Sequence, residues 1–208
     1  MRIIIGALAC TTLLAAAPAH AESQCLTVRL HVRFDRGIEH NLRSRVEAEA
    51  SKIWIEYGVH LLFADSDEPA DLDLDVAVTM AGQHNEDGLH RSVLGTTKVA
   101  PDETAPDNIR IAFDEVGALL KPLVDYGLMR EIRTADAVGR VLAHEVGHVL
   151  LGAHHDSSGL MRAVFIPREL AWPERAPFRL ADAGVERLRT RIERYGVITM
   201  NHAATIGP

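Results

Sequence analysis

Apolar and polar positions alternate from Cys25 to Phe34 (CLTVRLHVRF), which predicts a half-buried strand. The period then lengthens. Leu42, Val46, Ala50, Ile53, Trp54 and Tyr57 recur at spacings of three and four, so Glu39 to Tyr57 predicts an amphipathic helix stopped by Gly58. Alternation or short apolar runs return at Val59 to Phe63, Leu72 to Met80 and Ile109 to Val116, three further strands. Residues 88–99 form a weaker, glycine-broken strand suited to a sheet edge. A strong helical pattern covers Thr134 to Leu151, with Thr134 as its N-cap and Asp136 in its first turn. Residues 152–178 read as loop, and Leu180 to Tyr195 as a last helix with Val185, Leu188 and Ile192 on its apolar stripe. The order, without repeats or a linker, predicts one α+β domain.

The first residues do not join this pattern. Arg2 precedes an apolar run from Ile3 to Ala17, and Ala19-His20-Ala21 is a small-x-small cleavage site. Residues 1–21 therefore read as a secretory signal peptide, and residues 22–208 as the folded domain of an exported protein, periplasmic or extracellular. Cys10 lies too early in the run for a lipoprotein. Cleavage would leave Cys25 as a lone thiol, expected as a buried residue at the strand start. No other stretch is apolar enough to span a membrane.

Composition narrows the classes. The 208 residues are 47% hydrophobic and 25% charged, which suits a globular domain and excludes a disordered chain. The net charge of −7 argues against nucleic-acid binding, which calls for a basic footprint. Two cysteines exclude a disulfide scaffold or a cysteine-rich metal site. Asp71, Asp73 and Asp75 are separated by apolar residues, with Val76 where a calcium loop requires glycine, so they read as the solvated face of a strand.

Chemistry concentrates in residues 134–161, TADAVGRVLAHEVGHVLLGAHHDSSGLM. His144-Glu145-Val146-Gly147-His148 matches H-E-x-x-H. Residues four apart on a helix are about 40° apart around its axis, so both imidazoles project from one face and can share one ion. Neutral imidazole suits zinc, and three protein ligands leave a position open for water, which Glu145 could serve as general base. Gly152 would end the helix and turn the chain back, and His154 and His155 follow it as two candidates for the third ligand.

The stretch resembles the metzincin superfamily of zinc peptidases, whose pattern is H-E-x-x-H-x-x-G-x-x-H followed by a Met-turn. The ending Gly152-Ala153-His154-His155-Asp156 is similar to the adamalysin branch, and the short run to Gly159-Leu160-Met161 to the matrixin branch. The match covers about 28 residues, as counted from Thr134 to Met161. One departure stands out: three residues, Val149-Leu150-Leu151, separate His148 from the Gly where the family has two. Counted from His148 the third ligand is His154; counted from Gly152 it is His155, which the Gly-x-x-His-Asp turn favours. The resemblance implies a zincin-like fold (a twisted mixed sheet with an active-site helix and a C-terminal helix), one Zn2+ per chain, and Met161 packed beneath the metal without binding it. It also implies an extended peptide substrate laid along an edge strand, for which residues near 90–99 are candidates. Arg162 stands where some metzincins carry an additional tyrosine ligand.

The expected activity is thus a secreted zinc endopeptidase with peptide or protein substrates. Two rivals remain: a non-catalytic zinc-binding or interaction domain, and a non-peptidase zinc hydrolase such as a cell-wall amidase. Gluzincins take a downstream glutamate instead, for which Glu169 and Glu174 are placed, but Pro167, Pro173 and Pro177 argue against a helix there. His84 and His90 flank Asn85-Glu86-Asp87-Gly88, where a solvated loop is favoured over a second metal site.

Overall fold

Three strands with buried alternate positions make the centre of the molecule. In the computed structural model β1 (Leu26–Phe34) buries Leu26, Val28 and Leu30, β3 (Leu72–Thr79) buries Leu74, Val76 and Val78, and β5 (Asn108–Ala112) buries Ile109 and Ile111. The described residues are 25–63, 68–80, 93–98, 108–124, 127–172 and 178–205, without the side chains of 196–205. The expected signal peptide, the His84–His90 loop and Glu174 lie outside them.

With β2 (Val59–Phe63) and β4 (Gly95–Lys98) these strands form a five-stranded mixed sheet in the order β2-β1-β3-β5-β4. All pairs are parallel except β4 with β5, where Gly95 faces Ile111 and Lys98 faces Asn108. Helix α1 (His40–Ile55) is the crossover from β1 to β2, as a parallel pair requires. Its buried stripe of Leu42, Val46, Ala50, Ile53 and Trp54 is the one the spacing predicts. Trp54 also donates its indole N–H to the Ala143 carbonyl at 3.0 Å, tying α1 to the long helix α3 (Leu128–Leu151).

Four local expectations need correction. Ile109 to Val116 is not one strand: β5 ends at Ala112, and Phe113–Leu120 is helix α2, burying Phe113, Val116 and Leu120 at helical spacing. Helix α3 begins at Leu128, so Thr134 is not its N-cap but a buried interior residue. Asp136, another apparent start signal, instead accepts a bidentate contact from Arg45 of α1 at 2.7 and 2.9 Å. Inside the expected loop, Pro167–Ala171 forms a short helix, α4, with proline in its first turn, where its missing N–H costs nothing. Cys25 is exposed rather than buried. The last helix, α5, runs Asp182–Thr205, and Asp73 pairs with Arg29 and His31 on the solvated strand face. Among the described residues no helix is long and apolar enough to cross a membrane.

Candidate metal centre

Helix α3 is buried almost continuously from Thr134 to Leu151, and it presents His144, Glu145 and His148 at the end nearest β4. It ends at Gly152, whose φ of 87° lies in the region that favours glycine and whose N–H bonds the His148 carbonyl at 3.0 Å. The chain then doubles back. Asp156 N–H donates to the Met161 carbonyl at 2.7 Å, and Leu160 N–H to the Arg179 carbonyl at 2.7 Å, closing the turn under the helix.

That reversal brings His155 to the helix pair. Its ring centroid lies 4.8 Å from His148 and 5.6 Å from His144, and the three residues place one ligand atom each within 4.8 Å of one another. His154 is exposed and is not part of this group, nor is Glu169, which is paired with Arg162 of the turn. The imidazole that lies beside the helix pair is thus that of His155, the one counted from Gly152, although it is exposed like His154. The extra residue of the motif is accommodated before that glycine, since Leu151 is still helical.

Hydrogen bonds decide which ring atoms face the centre. His144 Nδ1–H donates to the Leu160 carbonyl at 2.7 Å and His148 Nδ1–H to the Gly152 carbonyl at 3.2 Å. A carbonyl only accepts, so both Nδ1 atoms carry protons and both Nε2 atoms are left with lone pairs when the rings are neutral. Those two Nε2 atoms are 3.0 Å apart. Two lone pairs at that separation repel unless a proton or cation lies between them. Burial, with help from the charges of His148 and His155, pushes the His144 pKa down to about 4, so that ring itself stays unprotonated and free to donate a lone pair near neutral pH. Burial and His148 also lower the His155 pKa. Two nitrogens held at about 2.0–2.1 Å on a tetrahedral zinc are roughly 3.3 Å apart, so the pair has close to the spacing of zinc ligands. The donor set, three neutral imidazoles with no thiolate, fits Zn2+.

Glu145, next to His144 on the helix, packs its side chain against β4. Thr97 Oγ1 lies 2.6 Å from its Oε2 and 3.1 Å from its main-chain carbonyl. Burial raises the carboxyl pKa to about 7, with the Thr97 hydrogen bond opposing. Below the centre, Met161 is fully buried against Gly147, where a Cβ would overlap its sulfur. The Phe165 ring stands 5.0 Å from that of His144 at 75°, an edge-on wall of the site. Sequence reading placed Gly95 and Thr97 on a candidate edge strand but missed their contact with Glu145, and it missed Phe165; only the tertiary fold brings them to the helix.

No protein-family model matches the chain, and no curated protein matches it in sequence. Among solved structures it is similar to archaemetzincin from Methanopyrus kandleri, at a TM-score of 0.52 and 15% identity. The likeness covers 84% of this chain and 99% of that one. It shows a shared fold, that of a zincin-like protein.

Proposed function

We propose that the chain is an exported zinc-dependent endopeptidase, with His144, His148 and His155 holding one Zn2+ and Glu145 acting as general base. One observation carries the reading: two Nε2 atoms 3.0 Å apart, each made a lone-pair donor by a carbonyl on its Nδ1, beside a third imidazole. A cation resolves that repulsion, and a buried carboxyl on the residue after the first ligand supplies what simple metal storage does not need. The likeness to archaemetzincin adds support from the fold.

Bound zinc would polarise a scissile carbonyl and lower the pKa of a coordinated water. The chain's own groups supply the rest. Leu160 and Gly152 fix the orientation of the two helix imidazoles through their carbonyls. Phe165 and Met161 keep the floor and one wall apolar, which strengthens every charge interaction within the site. Glu145, with a carboxyl pKa near 7, is poised to take a proton at one oxygen and give it to the leaving amine. Substrate would lie extended against β4, which forms the sheet edge among the described residues and would offer its backbone for strand addition. Export rests on Arg2, the run Ile3 to Ala17 and Ala19-His20-Ala21. N-terminal sequencing of protein secreted by a host should start at Glu22.

The deciding experiment compares the zinc-loaded protein and Glu145→Gln on a peptide library, denatured casein and purified murein. Cleavage of peptide that falls at least about 10²-fold in the variant, with zinc retained, is expected. Equal activity in the variant refutes the mechanism, and release of murein fragments without peptide cleavage replaces the peptidase by an amidase.

A further inference from the structure

The edge strand does more than face the site. Its residues alternate, so Gly95 and Thr97 share the side of β4 that meets α3. Both meet the same side chain there. Thr97 Oγ1 lies 2.6 Å from Glu145 Oε2, a short hydrogen bond, and 3.1 Å from the Glu145 carbonyl. Gly95 presents bare backbone: an ideal Cβ there would stand 2.6 Å from Glu145 Oε1, 2.9 Å from its Cγ and 2.9 Å from Val141 Cγ1. One carboxylate oxygen is held by a hydroxyl, and the other lies where only glycine leaves room. Val141, one turn earlier on α3 and fully buried, closes the same slot.

We propose that Thr97 is a positioning residue for Glu145: with Gly95 it forms a slot on the substrate-side strand that holds the carboxylate in one orientation. This rests on Glu145 being the general base. A glutamate has three side-chain torsions, and a buried one without a partner would sample several orientations, few of them suited to proton transfer. The slot removes that freedom. It also couples the base to the strand expected to bind substrate, so peptide pairing along β4 would steady the carboxylate it is about to use.

Thr97→Val keeps the shape and removes the donor; Thr97→Ser restores the donor without the methyl. Displacements of about 1 Å in a catalytic group can cost about 10²-fold, so Thr97→Val should lower kcat by roughly 10- to 100-fold with KM within about twofold and zinc content unchanged. Thr97→Ser should recover most of the loss. Crystal structures of the parent and Thr97→Val should show one Glu145 conformer and several, respectively, a readout independent of turnover. If Thr97→Val does not fold, Thr97→Ala is read in the same way. The proposal is overturned if Thr97→Val keeps the parent's kcat, if only KM moves, if serine fails to rescue, or if Glu145 holds its conformer without the hydroxyl. Glu145→Gln run alongside separates the two levels: activity surviving there removes the general-base reading itself, whereas activity lost there but kept in Thr97→Val removes only the slot.

Discussion

Removing Glu49 should loosen the helix that carries His144 and His148. Arg140 lies one turn before His144 on α3 and is only 1% exposed. Its guanidinium donates through Nε to Glu49 Oε1 at 2.9 Å and approaches the same oxygen through Nη2 at 2.8 Å. Nη1 bonds the Leu170 carbonyl of α4, and the group lies 5.7 Å over the Phe178 ring. Burial pushes the Arg140 pKa down and the Glu49 charge opposes it. At 2.8 Å and an effective dielectric constant of about 20 the direct attraction is roughly 6 kcal/mol. Part of this is offset by the desolvation of both charges, while removing one partner strands the other. Breaking such a pair typically costs about 3–5 kcal/mol. Glu49→Ala should therefore lower Tm by about 6–20 °C for a chain of this size. Urea unfolding in excess chelator measures it, so that metal binding does not mask the change. Replacing both partners, Glu49→Leu with Arg140→Met, should be less harmful than Glu49→Ala alone, because no buried charge is left unpaired. A Glu49→Ala variant within about 0.5 kcal/mol of the parent, or a double variant worse than the single, refutes the reasoning.

Two further outcomes follow from the site. Met161→Ala should cost about 2–5 kcal/mol in urea unfolding, since it opens a cavity beneath α3 where Met161 meets Gly147. In metal-free protein, His144 and Glu145 pull stability in opposite directions with pH. The His144 pKa falls from 6.5 to about 4 on folding, so stability rises with pH across that window; the Glu145 pKa rises from 4.5 to about 7, so stability falls across the overlapping one. Stability contributed by these two groups should be nearly flat between about pH 4.5 and 6.5, and Glu145→Gln should expose a rise approaching 1.4 kcal/mol per pH unit, measured by urea titration at each pH.

Periodicity made the central scaffold legible. Val59–Phe63 and the buried stripe of α1 stand where the spacing places them, because both elements bury one face against the same core. It failed where a short element offers little period. The run IRIAFDEV continues β5 by its apolar residues, yet Phe113, Val116 and Leu120 belong to a helix with no side-chain cap to announce it. Thr134 and Asp136 imitate a helix start, but Thr134 is buried in the interior of α3 and Asp136 is bound by Arg45 of α1, which the linear pattern does not show. Proline at the first position of α4 begins a helix rather than preventing one. Spacing alone brought His144 and His148 together, because four residues make about one helical turn. It left His154 and His155 open, because the choice depends on how the chain turns at Gly152. Thr97 and Gly95 reach Glu145 across 48 and 50 residues of chain, a distance no local signal bridges.

The central claim is that three imidazoles hold one zinc ion. Zinc per chain, measured in protein purified without added metal and in the single alanine variants of His144, His148, His154 and His155, tests it most directly. The account predicts one zinc in the parent and in His154→Ala, and loss of zinc in the other three. A parent that takes up no zinc even when it is supplied, or a His155→Ala variant that keeps it while His154→Ala loses it, contradicts the account.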